Sequence, residues 1–137
     1  MGRNVEECKL CRIPTFYDHR GALSVLEGES FVPFFIRRIF YVYNMKKNVE
    51  RGGHAHRTVE QFIVCLNGSL SIYLSDGRNE LKYILISPSE GLYIPSLIWS
   101  RQESLSPETI YVVLASDHYN NAEYINDFEE FKVIANE

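Results

Sequence analysis

The chain has no apolar run approaching membrane-spanning length, and residues Met1 to Arg12 contain no hydrophobic signal core. A cytoplasmic location with no membrane partner is therefore expected. Cysteine is scarce. The three residues are an odd number and do not make a disulfide framework. Cys8 and Cys11 form a C-x-x-C pair, but no second Cys or His pair follows nearby to complete a zinc site. Ile13-Pro14 stands where a redox motif would open a helix, so two reduced thiols are expected. Long basic runs are absent and the net charge is −4, which disfavours a nucleic-acid partner. Basic residues occur only in small groups: Arg37-Arg38, Lys46-Lys47, and Arg51 with Arg57. Linkers, repeats and low-complexity segments are also missing, so residues 1–137 read as one domain.

What is present is a strand-rich pattern. The chain is 45% hydrophobic and long enough to bury a core without covalent staples. Ile36 to Tyr43, Gln61 to Leu66, Leu70 to Leu74, Leu81 to Ile86, Gly91 to Pro95 and Ile110 to Ala115 carry β-branched, aromatic or alternating residues. Asn67-Gly68 and Asp76-Gly77 supply hairpin turns. Short strands between turn dipeptides indicate a β-sandwich or barrel. One helix is expected at the end, because Tyr124, Ile125, Phe128 and Phe131 recur at helical spacing, with Asn121 or Asn126 as the cap.

The most informative stretch is Arg51-Gly-Gly-His-Ala-His-Arg57, followed by Glu60. On one strand His54, His56 and Glu60 share a face, together with Thr58, Phe62, Val64 and Leu66. Two imidazoles and a carboxylate are expected to converge inside the barrel, able to hold a metal or move protons on a small molecule. Burying two histidines and a glutamate without use would be costly, which favours a functional role. Of Arg37 and Arg38, which point to opposite faces, at most one enters the cavity. His19 and His118 lie in turn-like contexts and read as solvated.

Gly53-His-Ala-His56-x-x-x-Glu60 with Gly68 resembles the first metal-binding motif of the cupins, small all-β double-sheet barrels. In the second motif, Pro-x-Gly-x-x-His, counting from Pro95 puts Leu97 at the glycine and Ser100 at the histidine. Serine is a poor ligand beside imidazole and carboxylate. A longer pattern resembles the sugar 3,4-ketoisomerases, cupin enzymes acting on dTDP-4-keto-6-deoxyglucose. It comprises Asp18-His-Arg-Gly-Ala-Leu23, Pro33-Phe34, Arg38-Ile-Phe-Tyr41, Arg51 to His56, Glu60-Gln61, Asp76-Gly77, Gly91-Leu-Tyr-Ile-Pro95, Trp99, Leu114-Ala-Ser116, Tyr119, Glu123-Tyr-Ile125 and Phe131.

The resemblance implies a cupin jelly-roll barrel with a short C-terminal helix. It implies an isomerase that uses no metal or other cofactor and converts its substrate to a dTDP-3-keto-6-deoxyhexose through an enediol. The product would feed 3-amino sugar biosynthesis. It also implies a homodimer with exchanged N-terminal strands; the segment before Asp18 has only short apolar stretches and could complete a partner's sheet. The residues expected to act are His56 as principal base, His54 as its partner and Tyr41 as the hydroxyl at the enediolate. Arg51 would hold the diphosphate, with Arg38, Glu60, Arg57 and Trp99 also at the substrate. Glu60 would orient an imidazole, and Trp99 would either plug the barrel or stack on the base. Two departures stand out: Ser100 replaces the usual histidine after the tryptophan, and Arg57 replaces a lysine. A metal-dependent cupin enzyme and a non-catalytic sugar-nucleotide-binding cupin remain the alternative readings.

Overall fold

A computed structural model describes residues 2–137. Two five-stranded antiparallel sheets face each other. The first contains β1 (Lys9–Arg12), β9 (Glu90–Ile94), β6 (Gln61–Asn67), β11 (Ile110–Ala115) and β4 (Arg38–Val42), in that order. The second runs β12 (Tyr124–Ile125), β5 (Glu50–His56), β10 (Trp99–Ser104), β7 (Leu70–Ser75) and β8 (Glu80–Leu85). Strands β2 (Thr15–Asp18) and β3 (Gly21–Ser24) pair as a separate hairpin, and the helix α1 spans Phe128–Ala135. This is the double-sheet β fold expected of a cupin.

The main core lies between the sheets. Ile63, Cys65, Leu92, Ile94, Tyr111 and Val113 from the first sheet meet Leu70, Ile72, Leu74 and Leu85 from the second. The outer face of the first sheet is buried as well: Phe62, Val64 and Leu114 pack against Ile13, Val32 and Phe34. Burial on both faces explains why β6 and β11 read as continuous apolar runs without alternation. Gly91 is required here by close approach, since a Cβ would meet the Phe62 ring at 2.2 Å.

Helix α1 is too short to be stable alone. Asp127 caps it by accepting from the N–H groups of Glu129 and Glu130. Phe131 and Ala135, four apart, bury against Ala55, Trp99 and Ile125. The expected helix over Tyr124 and Ile125 is corrected: these residues extend alongside β5, with Tyr124 opposite His56 and Ile125 opposite Ala55. Their apolar spacing fits either state, and pairing with the β5 edge decides it.

Strands β1 and β10 and the β2–β3 hairpin were not legible in the sequence. In β10, Ser100, Gln102 and Ser104 are the buried residues, so the strand lacks the apolar alternation that marks a half-buried strand. Strand β1 pairs with β9 of the same chain, and Cys8 enters the main core, where burial pushes its thiol up to about 12. Cys8, Cys11 and Cys65 are free thiols.

Candidate active site

The site is built on β5, and a bulge makes it possible. On β10, Ser100 and Gln102 lie two apart and share a face. Their partners across the ladder are His54 and Arg51, which lie three apart. One extra residue is therefore inserted in β5, and both Gly52 and Gly53 take left-handed backbone conformations, φ +86° and +78°. Without the bulge, strand parity would turn Arg51 away from His54. With it, both border one cavity of about 170 Å³. Phe40, Val42, Gln61, Ile63, Gln102, Tyr111, Val113 and Tyr124 complete the wall.

The two imidazoles differ in depth. His54 is half-buried and borders the cavity, whereas His56 is 5% exposed and lies behind it. Their rings meet edge-on with centroids 5.2 Å apart. Neither nitrogen of His56 has a hydrogen-bond partner among the protein atoms, and neither does Nε of Arg38. Burial lowers the pKa of both histidines, and that of His56 falls to about 4. For His56, repulsion from His54 and Arg38 adds to burial, against a weaker opposing effect of Glu123. Both rings are therefore neutral near pH 7, the form in which imidazole accepts a proton.

Several expected site residues are placed elsewhere. Strand β5 ends at His56 and the chain crosses to the other sheet before β6 begins, so parity does not carry from His56 to Glu60. Phe62 and Val64 face outward, while Gln61 and Ile63 face the cavity. The Glu60 carboxylate accepts a 2.5 Å hydrogen bond from Tyr93 Oη instead of approaching an imidazole. His54, His56 and Glu60 therefore do not form a ligand set, and no group of three His, Cys, Asp or Glu suited to a metal occurs among the described residues.

Tyr41 is 65% exposed and stacks on Tyr43, because only Arg38, Phe40 and Val42 of β4 turn inward. Arg57 donates to the Ala122 carbonyl and pairs with Glu130 at the surface. Trp99 is buried against Phe128 and Phe131, which makes it a plug between sheet and helix and leaves it no base-stacking face. Arg38 does approach His56, and its guanidinium lies over Phe40 and Tyr119, while Arg37 stays outside over Phe35. His19 and His118 are exposed.

Sequence reasoning missed Tyr124, Gln61, Gln102 and Tyr111. Tyr111 lines the cavity beside Arg51, and burial raises its pKa. Gln102 donates to Ser100 Oγ at 2.5 Å. Tyr124 sets its ring 4.7 Å from His54 and 4.6 Å from His56, centroid to centroid. The Glu123-Tyr-Ile125 segment carried the signal, but its helical spacing hid it. Leu97, at the glycine position of the second cupin motif, keeps a left-handed backbone at φ +59°. That conformation, unfavourable for leucine, lets its N–H donate to the His56 carbonyl at 2.8 Å.

The family described as FdtA, WxcM-like, C-terminal matches residues 6–136. The chain belongs to this family of sugar 3,4-ketoisomerases. TDP-4-oxo-6-deoxy-alpha-D-glucose-3,4-oxoisomerase of Aneurinibacillus thermoaerophilus is 37% identical over 126 residues, 92% of this chain and 91% of the relative. A 3,4-ketoisomerase from Helicobacter canadensis superposes with a TM-score of 0.92 at 40% identity, covering 96% of this chain and 98% of that one. The sugar 3,4-ketoisomerase QdtA from Thermoanaerobacterium thermosaccharolyticum, solved with TDP, gives 0.91 at 32% identity, with 94% of each chain covered. These ketoisomerases share the double-sheet fold over nearly the full length of the present chain.

Proposed function

We propose that the chain is a single cupin domain, residues 1–137, that isomerises dTDP-4-keto-6-deoxyglucose to a dTDP-3-keto-6-deoxyhexose in the cytoplasm. The observation that carries this reading is the bulge that turns a neutral imidazole, His54, and a guanidinium, Arg51, onto one cavity wall. A 4-keto group acidifies the C3 hydrogen. His54 takes that proton, the electrons form the C3–C4 double bond, and the ketone oxygen becomes an enediolate. Proton return at C4 and loss of the O3 proton complete the isomerisation with no net change in composition.

The cavity is too small for a whole nucleotide sugar, since pockets enclosing ligands of that size run to several hundred Å³. The reacting sugar enters it, and the diphosphate stays at the mouth. Arg51 is exposed there and suited to charge-assisted hydrogen bonds with phosphate oxygens. Behind the cavity wall, Nε of Arg38 and both ring nitrogens of His56 are buried without protein partners. His54 takes the principal base role in preference to His56 because it borders the cavity. Incubation with dTDP-4-keto-6-deoxyglucose in deuterated water, followed by NMR, tests the reading. Deuterium at C3 or C4 and a 3-keto product are expected, and the product spectrum reports the C4 configuration. No exchange and no product would refute it.

A homodimer is part of the proposal. The β2–β3 hairpin exposes Phe16, Tyr17 and Leu23, and the edge strand β4 with its flanks exposes Phe35, Ile39, Tyr41 and Tyr43. Apolar surface of this extent suits a second copy of the chain. Because β1 pairs within its own chain, the exchanged element would be the hairpin. Sedimentation of a monomer at micromolar concentration would contradict this.

A further inference from the structure

We propose that Tyr124 is a further catalytic residue of the ketoisomerase reaction, its hydroxyl serving the enediolate, and that Glu123 is the positioning residue that holds it there. The inference rests on the ketoisomerase reading above.

Isomerisation between adjacent carbons needs more than a base. Negative charge builds on the ketone oxygen as the C3 proton leaves, and a fixed donor at that oxygen lowers the barrier. Among the described residues, two tyrosines border the cavity, Tyr111 and Tyr124. Tyr111 is 2% exposed and packed into the main core. Gln102 donates to Ser100, and Tyr41 faces outward. Tyr124 is half-buried, and its ring packs on both imidazoles, T-shaped to His54 and tilted to His56. A proton acceptor and a phenol donor therefore border the same cavity. In the reaction, His54 receives the C3 proton and the Tyr124 hydroxyl donates a hydrogen bond to the developing oxyanion. The hydroxyl keeps its own proton, so it is unchanged after turnover.

Tyr124 is held by unusually specific means for a two-residue strand. Backbone pairing sets it opposite His56. The preceding residue, Glu123, reaches across to the chain that leaves β5. Its carboxylate accepts from the N–H groups of Thr58 and Val59 at 2.8 and 3.1 Å and from the Thr58 hydroxyl at 2.8 Å. The Glu123 carbonyl accepts from the Arg57 N–H at 3.0 Å. Burial alone would raise the Glu123 carboxyl, but these donors outweigh it and hold the group below the usual range. The clamp thus joins the end of the histidine strand to the residue that packs on its rings.

The test compares Tyr124→Phe, Glu123→Ala and the double variant by steady-state kinetics, with thermal melting as a fold control. Phenylalanine keeps the ring contacts and removes only the hydroxyl. Its kcat should fall roughly 10²-fold with KM within about threefold, the pattern of an interaction made in the transition state. Glu123→Ala should lower kcat by about 10-fold. In the double variant its effect should vanish, because the group it positions is already gone. Near-normal kcat in Tyr124→Phe, or a change confined to KM, would overturn the catalytic role. Independent multiplying losses would overturn the positioning role. If Glu123→Ala does not fold, Thr58→Val removes one of the clamp's donors and is paired with Tyr124→Phe in the same cycle. Absence of turnover by the unaltered protein would instead refute the ketoisomerase reading, and this inference with it.

Discussion

Replacing His56 with asparagine should flatten the dependence of folding stability on pH. His56 is 5% exposed, and burial, aided by His54 and Arg38, lowers its pKa from 6.5 to about 4. Between those values the unfolded chain binds the proton and the folded chain does not. Stability from this group is therefore complete above about pH 6.5 and declines as pH falls toward about 4. At about 1.4 kcal/mol per pH unit, the full loss is about 3 kcal/mol. His54 is lowered in the same direction and remains in the variant, so some slope survives. Glu123, the facing carboxylate, titrates below its usual range and acts at lower pH. Urea unfolding followed by Trp99 fluorescence, at fixed protein concentration from about pH 7.5 to about pH 4.5, measures the difference. Asparagine shifts the curve by a constant, whereas the histidine changes its slope. Equal slopes in the two proteins between about pH 6.5 and 4.5 would refute the account of His56 as a buried neutral imidazole.

His54→Asn should cut turnover by roughly 10²–10⁴-fold while the dTDP moiety still binds, and isothermal titration beside kinetics separates the two effects. Near-normal turnover would return the principal role to His56. Arg51→Ala should raise KM before it lowers kcat, because its guanidinium sits at the mouth, and kinetics over a range of substrate concentration would show it. Gly53→Ala meets no atom within 4 Å, so its penalty is the left-handed backbone alone, about 1–2 kcal/mol by urea unfolding, with lower activity as the bulge shifts. Phe131→Ala should cost about 3–5 kcal/mol by the same measurement, since Phe131 is fully buried under β5 and Trp99.

Most strands of the first sheet and the Asp76-Gly77 hairpin turn were legible in the sequence, for a local reason, whereas Asn67-Gly68, expected to close a hairpin, instead carries the chain from β6 in one sheet to β7 in the other. Alternation, β-branched residues and turn dipeptides report each strand's own environment, as at Ile110–Ala115, where expectation and structure share the same bounds. The long pattern of identities from Asp18 to Phe131 was enough to point to the family. Strand β10 escaped because its inward residues are serine and glutamine, with Gln102 lining the cavity and donating to Ser100 and Ser104 donating to the Lys46 carbonyl, partners that no local rule reveals.

By itself the sequence determined the fold class, the family and a histidine strand with an arginine before it. Only the tertiary structure decided which side chains share the cavity. Parity along a chain predicts a common face only while the strand continues unbroken. The bulge at Gly52-Gly53 breaks that phase and brings Arg51 to His54. The crossing after His56 breaks it again and sends Glu60 to Tyr93. Tyr124, nearly seventy residues away in sequence, arrives beside both imidazoles through backbone pairing between segments that share no local signal.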